Sequence, residues 1–154
     1  MPKQGRVEFV VTARFVVSGI PVGYKTTTYK AKHFNKDYKK YVEYKKIVQF
    51  HARAAGLTIP MLATKDHPVK VRTVAFFKNG NHPDPENVNK GVRDALFYDE
   101  EKKLRGGSGK GDDKYTGGSF EPPLYDKENP RVIVIVKEPK KERKKNERTR
   151  RTRR

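Results

Sequence analysis

The chain has 154 residues, with 36 Lys and Arg against 18 Asp and Glu, a formal net charge of +18 and a pI near 10.1. One domain with a modest core fits that length, because 34% of residues are hydrophobic, 35% are charged and the mean hydropathy is −0.95. There is no cysteine, which excludes disulfides, thiolate catalysis and Cys-based zinc sites; no apolar run approaches the roughly 18–20 residues of a membrane span, and the charged start Met1–Arg6 does not read as a signal peptide, so a soluble intracellular protein with a polyanionic partner is expected.

In chain order, Val7, Phe9, Val11, Ala13, Phe15 and Val17 alternate with Glu8, Thr12 and Arg14, the pattern of a half-buried strand. Gly19, Pro21 and Gly23 break it, and YKTTTYKAKHFN (24–35) reads as a basic, aromatic loop. Tyr41, Tyr44, Val48, Ala52 and Ala55 then recur at helical spacing within Lys36–Ala55, with Lys36, Lys39, Lys40, Lys45, Lys46 and Arg53 filling much of the rest and Gly56 as the C′ stop. Pro68–Lys78 is a second strand, in which Val69, Val71, Ala75 and Phe77 alternate with Lys70, Arg72 and Val74. After the turn-rich Asn79–Pro85, a short helix is predicted over Glu86–Phe97, a loop over Lys102–Gly111 and a weak strand over Lys114–Phe120. The run Val132-Ile133-Val134-Ile135-Val136 predicts a central strand covered on both faces. Together these elements predict one α/β (α+β) domain over 1–138, with a mixed sheet and two main helices.

The last sixteen residues, PKKERKKNERTRRTRR, hold ten Lys/Arg and two Glu, a net +8, and leave +10 on residues 1–138. With no apolar residue to bury, 139–154 is expected to be a disordered basic arm. Since the body is basic too, phosphate binding through counterion release is favoured over a merely solvated tail.

In so basic a chain the acids are the informative minority. In HPDPENVNKGVRDALF (82–97), Asp84 and Glu86 sit two apart at a loop–helix junction. A structural reading explains them as an N-cap before Pro85 and a first-turn acid favoured by the helix dipole. A chemical reading starts from the polar stripe Glu86, Asn87, Lys90 and Asp94, opposite the apolar face Val88, Val92, Ala95 and Leu96. Asp112 and Asp113, after a Gly-rich stretch, supply further carboxylates from a second element. Acids in a polyanion-binding surface cost affinity unless divalent cations lie between, and hard carboxylate oxygens suit Mg²⁺. Lys90 could then offset charge developing on phosphorus.

PDPENVNKGVRDALF followed by GDDKYTGGSFEPPLYDKENPRVIVIV resembles the RusA family of Holliday-junction resolvases, whose pattern runs P-D-x-D-N-x-x-K-x-x-x-D-A-L and then D-D and a closing strand. The resemblance covers 82–138, with the same order of elements over 7–56. It implies a RusA-like fold and a Mg²⁺-dependent endodeoxyribonuclease, with Mn²⁺ as a substitute, that binds four-way DNA junctions as a homodimer and resolves them by paired symmetric nicks. It also implies a bacterial cytoplasmic setting, phage or prophage included, with no membrane and no small-molecule cofactor. By motif, Asp84 and Glu86 match the first two acids, Lys90 the lysine, and Asp113 (Asp112 as second choice) the later D-D, giving catalytic residues Asp84, Glu86, Lys90 and Asp113 with the three acids as metal ligands. Asp94 and Asn87 would stand behind them, and Lys25, Lys30, Lys110 and Lys114 would touch DNA. Glu86 stands where the pattern has Asp, and the basic tail has no counterpart in the pattern. The alternative is a non-catalytic basic nucleic-acid binder, or a degenerate junction binder, whose acids are helix caps.

Two other signals fail. GGSGKG (106–111) lacks the first Gly and the final Ser/Thr of a P-loop. His33, His51, His67 and His82 show no metal spacing, although His82 lies two before Asp84.

Overall fold

The computed structural model describes residues 7–28, 31, 34–98 and 115–141. The elements are β1 (Phe9–Ser18), α1 (Lys36–Ala54), β2 (Val69–Phe77), α2 (Pro85–Phe97), β3 (Thr116–Phe120), β4 (Leu124–Tyr125) and β5 (Arg131–Pro139). Both expected helices and the α+β class stand.

The sheet is mixed, in the order β1-β5-β2-β3, with β4 continuing along the same edge of β2. β5 pairs antiparallel with β1 and β2, whereas β3 and β4 run parallel to β2. One face carries Ala13, Phe15, Val17, Val69, Val71, Ala75, Phe77, Val132, Val134 and Val136, all buried with Val48 and Ala52 of α1 and Val88, Val92, Ala95 and Leu96 of α2 in a single core.

Three sequence expectations are corrected here. Between Val11 and Ala13 the β1–β5 register shifts, so Ala13 faces the core while Val11, 55% exposed, faces solvent. An extra residue in a strand inverts the alternation beyond it, so the apolar positions Phe9, Val11, Ala13, Phe15 and Val17 of β1 do not share one face. β5 is central, yet its Ile133 and Ile135 are only half-buried, because the helices cover one face of the sheet. Cross-strand neighbours Val16, Ile133 and Val74 form an apolar row on the other face. The tail also begins later than expected: Pro139 pairs with Phe9 and the Lys140 N–H donates to the Glu8 carbonyl. Residues 142–154 lie outside the described residues, as do all of Lys102–Gly111 and its neighbours 99–101 and 112–114.

Both helices are closed by local chemistry. Asn35 caps α1 by accepting from the Tyr38 N–H at 3.1 Å. At its other end Gly56, at φ +96°, lets its own N–H reach the Arg53 carbonyl and that of Leu57 the Ala52 carbonyl, the paired bonds of a left-handed glycine stop. α2 has no such glycine. Its last carbonyls are taken by distant groups instead: Gln49 Nε2 donates to Ala95 O at 2.9 Å and the Met61 N–H to Leu96 O at 2.7 Å.

Among the described residues no helix is long and apolar enough to cross a membrane.

Candidate functional site

Asp84 is the N-cap of α2, Pro85 its first residue, and Asp84 Oδ1 accepts from the Glu86 N–H at 3.2 Å. The structural reading of this motif is therefore realised, and it leaves Asp84 Oδ2 with no partner among the described residues. Glu86 is exposed in the first turn and Lys90 is exposed one turn further on, so the two side chains share a helix face. The Lys90 ammonium lies 4.4 Å from the centroid of the Tyr24 ring, a cation–π contact.

The loop after β1 is stitched to this helix. The Tyr24 N–H donates to Asn87 O at 3.0 Å, and Asn87 Nδ2 reaches back toward Tyr24 O at 3.5 Å. Asn87 thus anchors a loop rather than facing the acids. A Cβ on Gly91 would lie 3.2 Å from Tyr41 Cε1 and 3.3 Å from the Tyr24 nitrogen, so a glycine lets the loop lie against α2. Lys25 follows Tyr24 and is exposed.

Asp94 does not join Asp84 and Glu86. Ten residues of helix put it about 15 Å along the axis from Asp84. Its Oδ2 accepts from Tyr41 Oη at 2.6 Å and Lys45 Nζ at 3.1 Å. Lys45, placed by sequence on the solvent side of α1, is instead 6% exposed, its ammonium also 4.9 Å from the Tyr41 ring centroid and 5.4 Å from that of Tyr98. A buried ammonium needs a counter-charge, and Asp94 supplies it. Tyr41 is correspondingly unavailable for stacking on a base.

Burial, reinforced by the Asp94 carboxylate, pushes the Tyr41 phenol far above its ordinary value, and burial alone does the same for Tyr44. The Tyr44 hydroxyl has no hydrogen-bond partner among the described residues. In the unfolded chain both ionise near pH 10. Folded, both resist ionisation, so the stability they contribute is fully present below pH 10 and is lost as pH rises above it. A phenolate absorbance titration should show two tyrosines ionising only as the fold is lost, and Tyr44→Phe should remove one of them.

Next to Lys90 a pocket of about 180 Å³ opens between Tyr24, Arg93, Asp94, Tyr98 and Thr116. Tyr98 and Thr116 flank residues 99–114, which lie outside the described residues together with Asp112, Asp113, Lys110 and Lys114; Lys30 lies outside them as well. Among the described residues no three acids or histidines gather as a metal-binding group. Asp84 and Glu86 offer two exposed oxygen donors, a set that fits Mg²⁺, which commonly takes one or two carboxylates and completes its shell with water and phosphate.

His82 is committed elsewhere. It stacks on Phe77 with ring centroids 3.9 Å apart, its Nδ1 donates to Pro83 O at 2.7 Å, and its Nε2 lies 2.9 Å from Tyr125 Oη.

The residue that sequence reasoning missed is Asn89, 1% exposed. Its Nδ2 lies within hydrogen-bond distance of three acceptors, Thr73 Oγ1 at 2.9 Å, Ser119 O at 2.8 Å and Val71 O at 3.2 Å, which share its two N–H bonds, while its Oδ1 accepts from Arg93 Nε at 2.8 Å. One side chain thereby ties α2 to β2 and β3 and aims the Arg93 guanidinium. A Cβ on Gly118 would collide with Asn89 Oδ1 and the Arg93 guanidinium, which accounts for the glycine at 118, whereas a Cβ on Gly117 would meet only Lys70 Cγ at 3.5 Å. The available signal was a polar residue in phase with Val92 and Leu96 on the apolar face, opposite that Gly pair.

No protein-family model matches this chain, and no curated protein matches it significantly.

Proposed function

We propose that this chain is a Mg²⁺-dependent endodeoxyribonuclease acting on branched DNA, four-way junctions above all, within the bacterial cytoplasm. The observation that carries the reading is the start of α2, where two exposed carboxylates and, one turn on, an exposed lysine stand together on a chain of net charge +18. Asp84 and Glu86, with Asp113 from the second element, would hold the metal. A bound Mg²⁺ supplies an activated water and charge stabilisation on the oxygens around phosphorus. Lys90 stands where an ammonium can offset negative charge developing on the phosphate. Lys25 and Arg93 extend the positive surface to either side, and the basic tail adds affinity that depends on salt.

Resolution of a four-way junction takes two nicks related by symmetry, so the working unit in this reading is a homodimer. The apolar row Val16, Ile133 and Val74 on the face away from the helices is the surface we assign to the second copy.

A second reading is favoured by the capping bond of Asp84 to the Glu86 N–H: a basic binder whose acids serve only the helix. One assay separates the two. A labelled synthetic four-way junction and a matched duplex are incubated with the protein, with and without Mg²⁺. The nuclease reading expects paired nicks in the junction, dependent on metal and absent from the duplex. Binding with a steep salt slope and no metal-dependent product would establish the binder.

A further inference from the structure

Helix α1 carries apolar residues on two faces. Tyr41, Tyr44, Val48 and Ala52 are buried. Ile47, 46% exposed, and Phe50, 67% exposed, lie on the outward side, with the exposed Ala54 one turn beyond Phe50. Spacings of three and four residues set these three on one stripe. The Phe50 ring stands edge-on to His51, with ring centroids 5.5 Å apart. A second stripe runs beside the first. Lys39, Lys46 and Arg53 are exposed and recur every seven residues, which places them about 10 Å apart along the axis and nearly in line. None of the three forms an ion pair among the described residues, whereas Lys45 is turned inward onto Asp94.

The outward face of a surface helix is ordinarily polar, and phosphate contacts would use the cations without needing Ile47 and Phe50. The two stripes together are the seam and flank of a helix that pairs with another helix. A second copy does not suit them. Antiparallel pairing of two α1 helices across this seam would set basic stripe against basic stripe. Parallel pairing would set it against the flank that holds Tyr44 and His51, so neither arrangement brings an acid to the cations. A lipid surface calls for a broad apolar face. Here the seam is narrow, and along residues 46–54 the Lys and Arg stand on one side of it only.

We propose that this face docks an acidic amphipathic helix of another protein. Its apolar residues, at heptad spacing, seat on Ile47, Phe50 and Ala54, and a row of Asp or Glu lies along Lys39, Lys46 and Arg53. The charge of α1 selects that occupant: the helix holds six Lys and Arg against two acids, and five of the six remain exposed. The apolar seam sets how long the partner stays, and the cations set how fast it arrives and which helices are accepted. Because both helices lie on one side of the sheet, this face and the open sheet face point in opposite directions, so a partner here does not compete with the second copy assigned there. The proposal does not depend on the nuclease reading.

The test titrates the full chain, by fluorescence anisotropy, into a labelled designed peptide of about three heptads, with Leu along its seam and Glu along one flank. One control peptide has Ser in place of the seam Leu, and a second has Lys in place of the Glu. The Leu/Glu peptide should bind about tenfold or more tighter than the Ser control, because the seam takes Phe50 and Ile47 out of water. Phe50→Ser alters an exposed side chain, so it should melt like the unaltered chain and yet erase that margin. Lys46→Glu combined with Arg53→Glu should weaken the Leu/Glu peptide and strengthen the Leu/Lys peptide, a reversal that loss of structure cannot produce. Equal affinity for the Leu/Glu and Ser peptides would overturn the proposal, as would a margin that survives Phe50→Ser. Phe50-dependent binding to phosphatidylglycerol vesicles in place of the peptide would assign the face to lipid and overturn it too. Failure of the unaltered chain to cut a junction with Mg²⁺ would overturn the nuclease reading instead and leave the peptide result standing.

Discussion

On the nuclease reading, Asp84→Asn should lower junction cleavage by about a hundredfold or more, while the protein should melt where it did before and bind the junction at least as tightly. The substitution is chosen because it separates the two roles of this residue. Asparagine caps a helix as well as aspartate does, so the bond from the Glu86 N–H to position 84 survives and stability changes by less than about 0.5 kcal/mol. What is lost is a negative oxygen donor. Stabilisation by a bound metal is worth several kcal/mol of the barrier, and each ~1.4 kcal/mol is a factor of ten in rate. Binding should hold or tighten, because one negative charge has been removed from a surface that meets phosphate. Alanine at the same position removes the cap as well and should cost about 1 kcal/mol of stability. Gel cleavage, gel-shift titration and thermal melts on the two variants check all three statements. Full cutting by Asp84→Asn would show that the carboxylate serves the helix alone. Asp113→Asn should repeat the result, with Asp112→Asn as the comparison that tells which of the adjacent pair is the ligand.

Asn89→Ala should be among the most destabilising single changes in the chain, at about 3–5 kcal/mol. Removal of this buried amide takes away the two N–H bonds shared by the Val71 and Ser119 carbonyls and the Thr73 hydroxyl, and with them the acceptor of the Arg93 Nε–H. Each buried group left unpaired costs about 1–3 kcal/mol, with partial relief from relaxation and water. For a chain of this size the melting temperature should fall on the order of 10 °C. Asn89→Asp is the sharper variant. It keeps the shape and the acceptor for Arg93 but sets a negative oxygen against two carbonyls, so it should be no better than alanine. If Asp melts like the unaltered protein, the donor role assigned to Nδ2 is wrong. Because Ser119 lies in β3, three residues beyond Thr116, loosening this tie should also degrade whatever Asp113 contributes, so cleavage should fall along with stability.

Much of the fold was legible because its signals are local. The cap Asp84-Pro85, the Gly56 stop and the alternation of Val69, Val71, Ala75 and Phe77 each depend on a few neighbouring residues and elementary sterics. The acids at the start of α2 were legible for the same reason, since two residues at a cap cannot be far apart. Their alignment with Lys90 followed from the helical period. Asp94 shared that period, and its function did not follow: it lies on the polar stripe in sequence but faces Tyr41 and Lys45 of α1 in space.

By itself, then, the sequence determined the helices, most of the strands, the basic surface and the small set of acids set into it. Tertiary structure alone decided the bulge that reverses β1, the burial of Lys45, the tie from Asn89 to both strands and the pocket beside Lys90. The physical reason is the range of the interactions. Lys45 and Asp94 are 49 residues apart and Asn89 and Ser119 are 30 apart, and no periodicity within one element says which side chain of another will stand opposite. A lysine among lysines on α1 looks solvated until α2 brings a carboxylate over it. An asparagine on an apolar face looks like an error until two strands present their carbonyls to it.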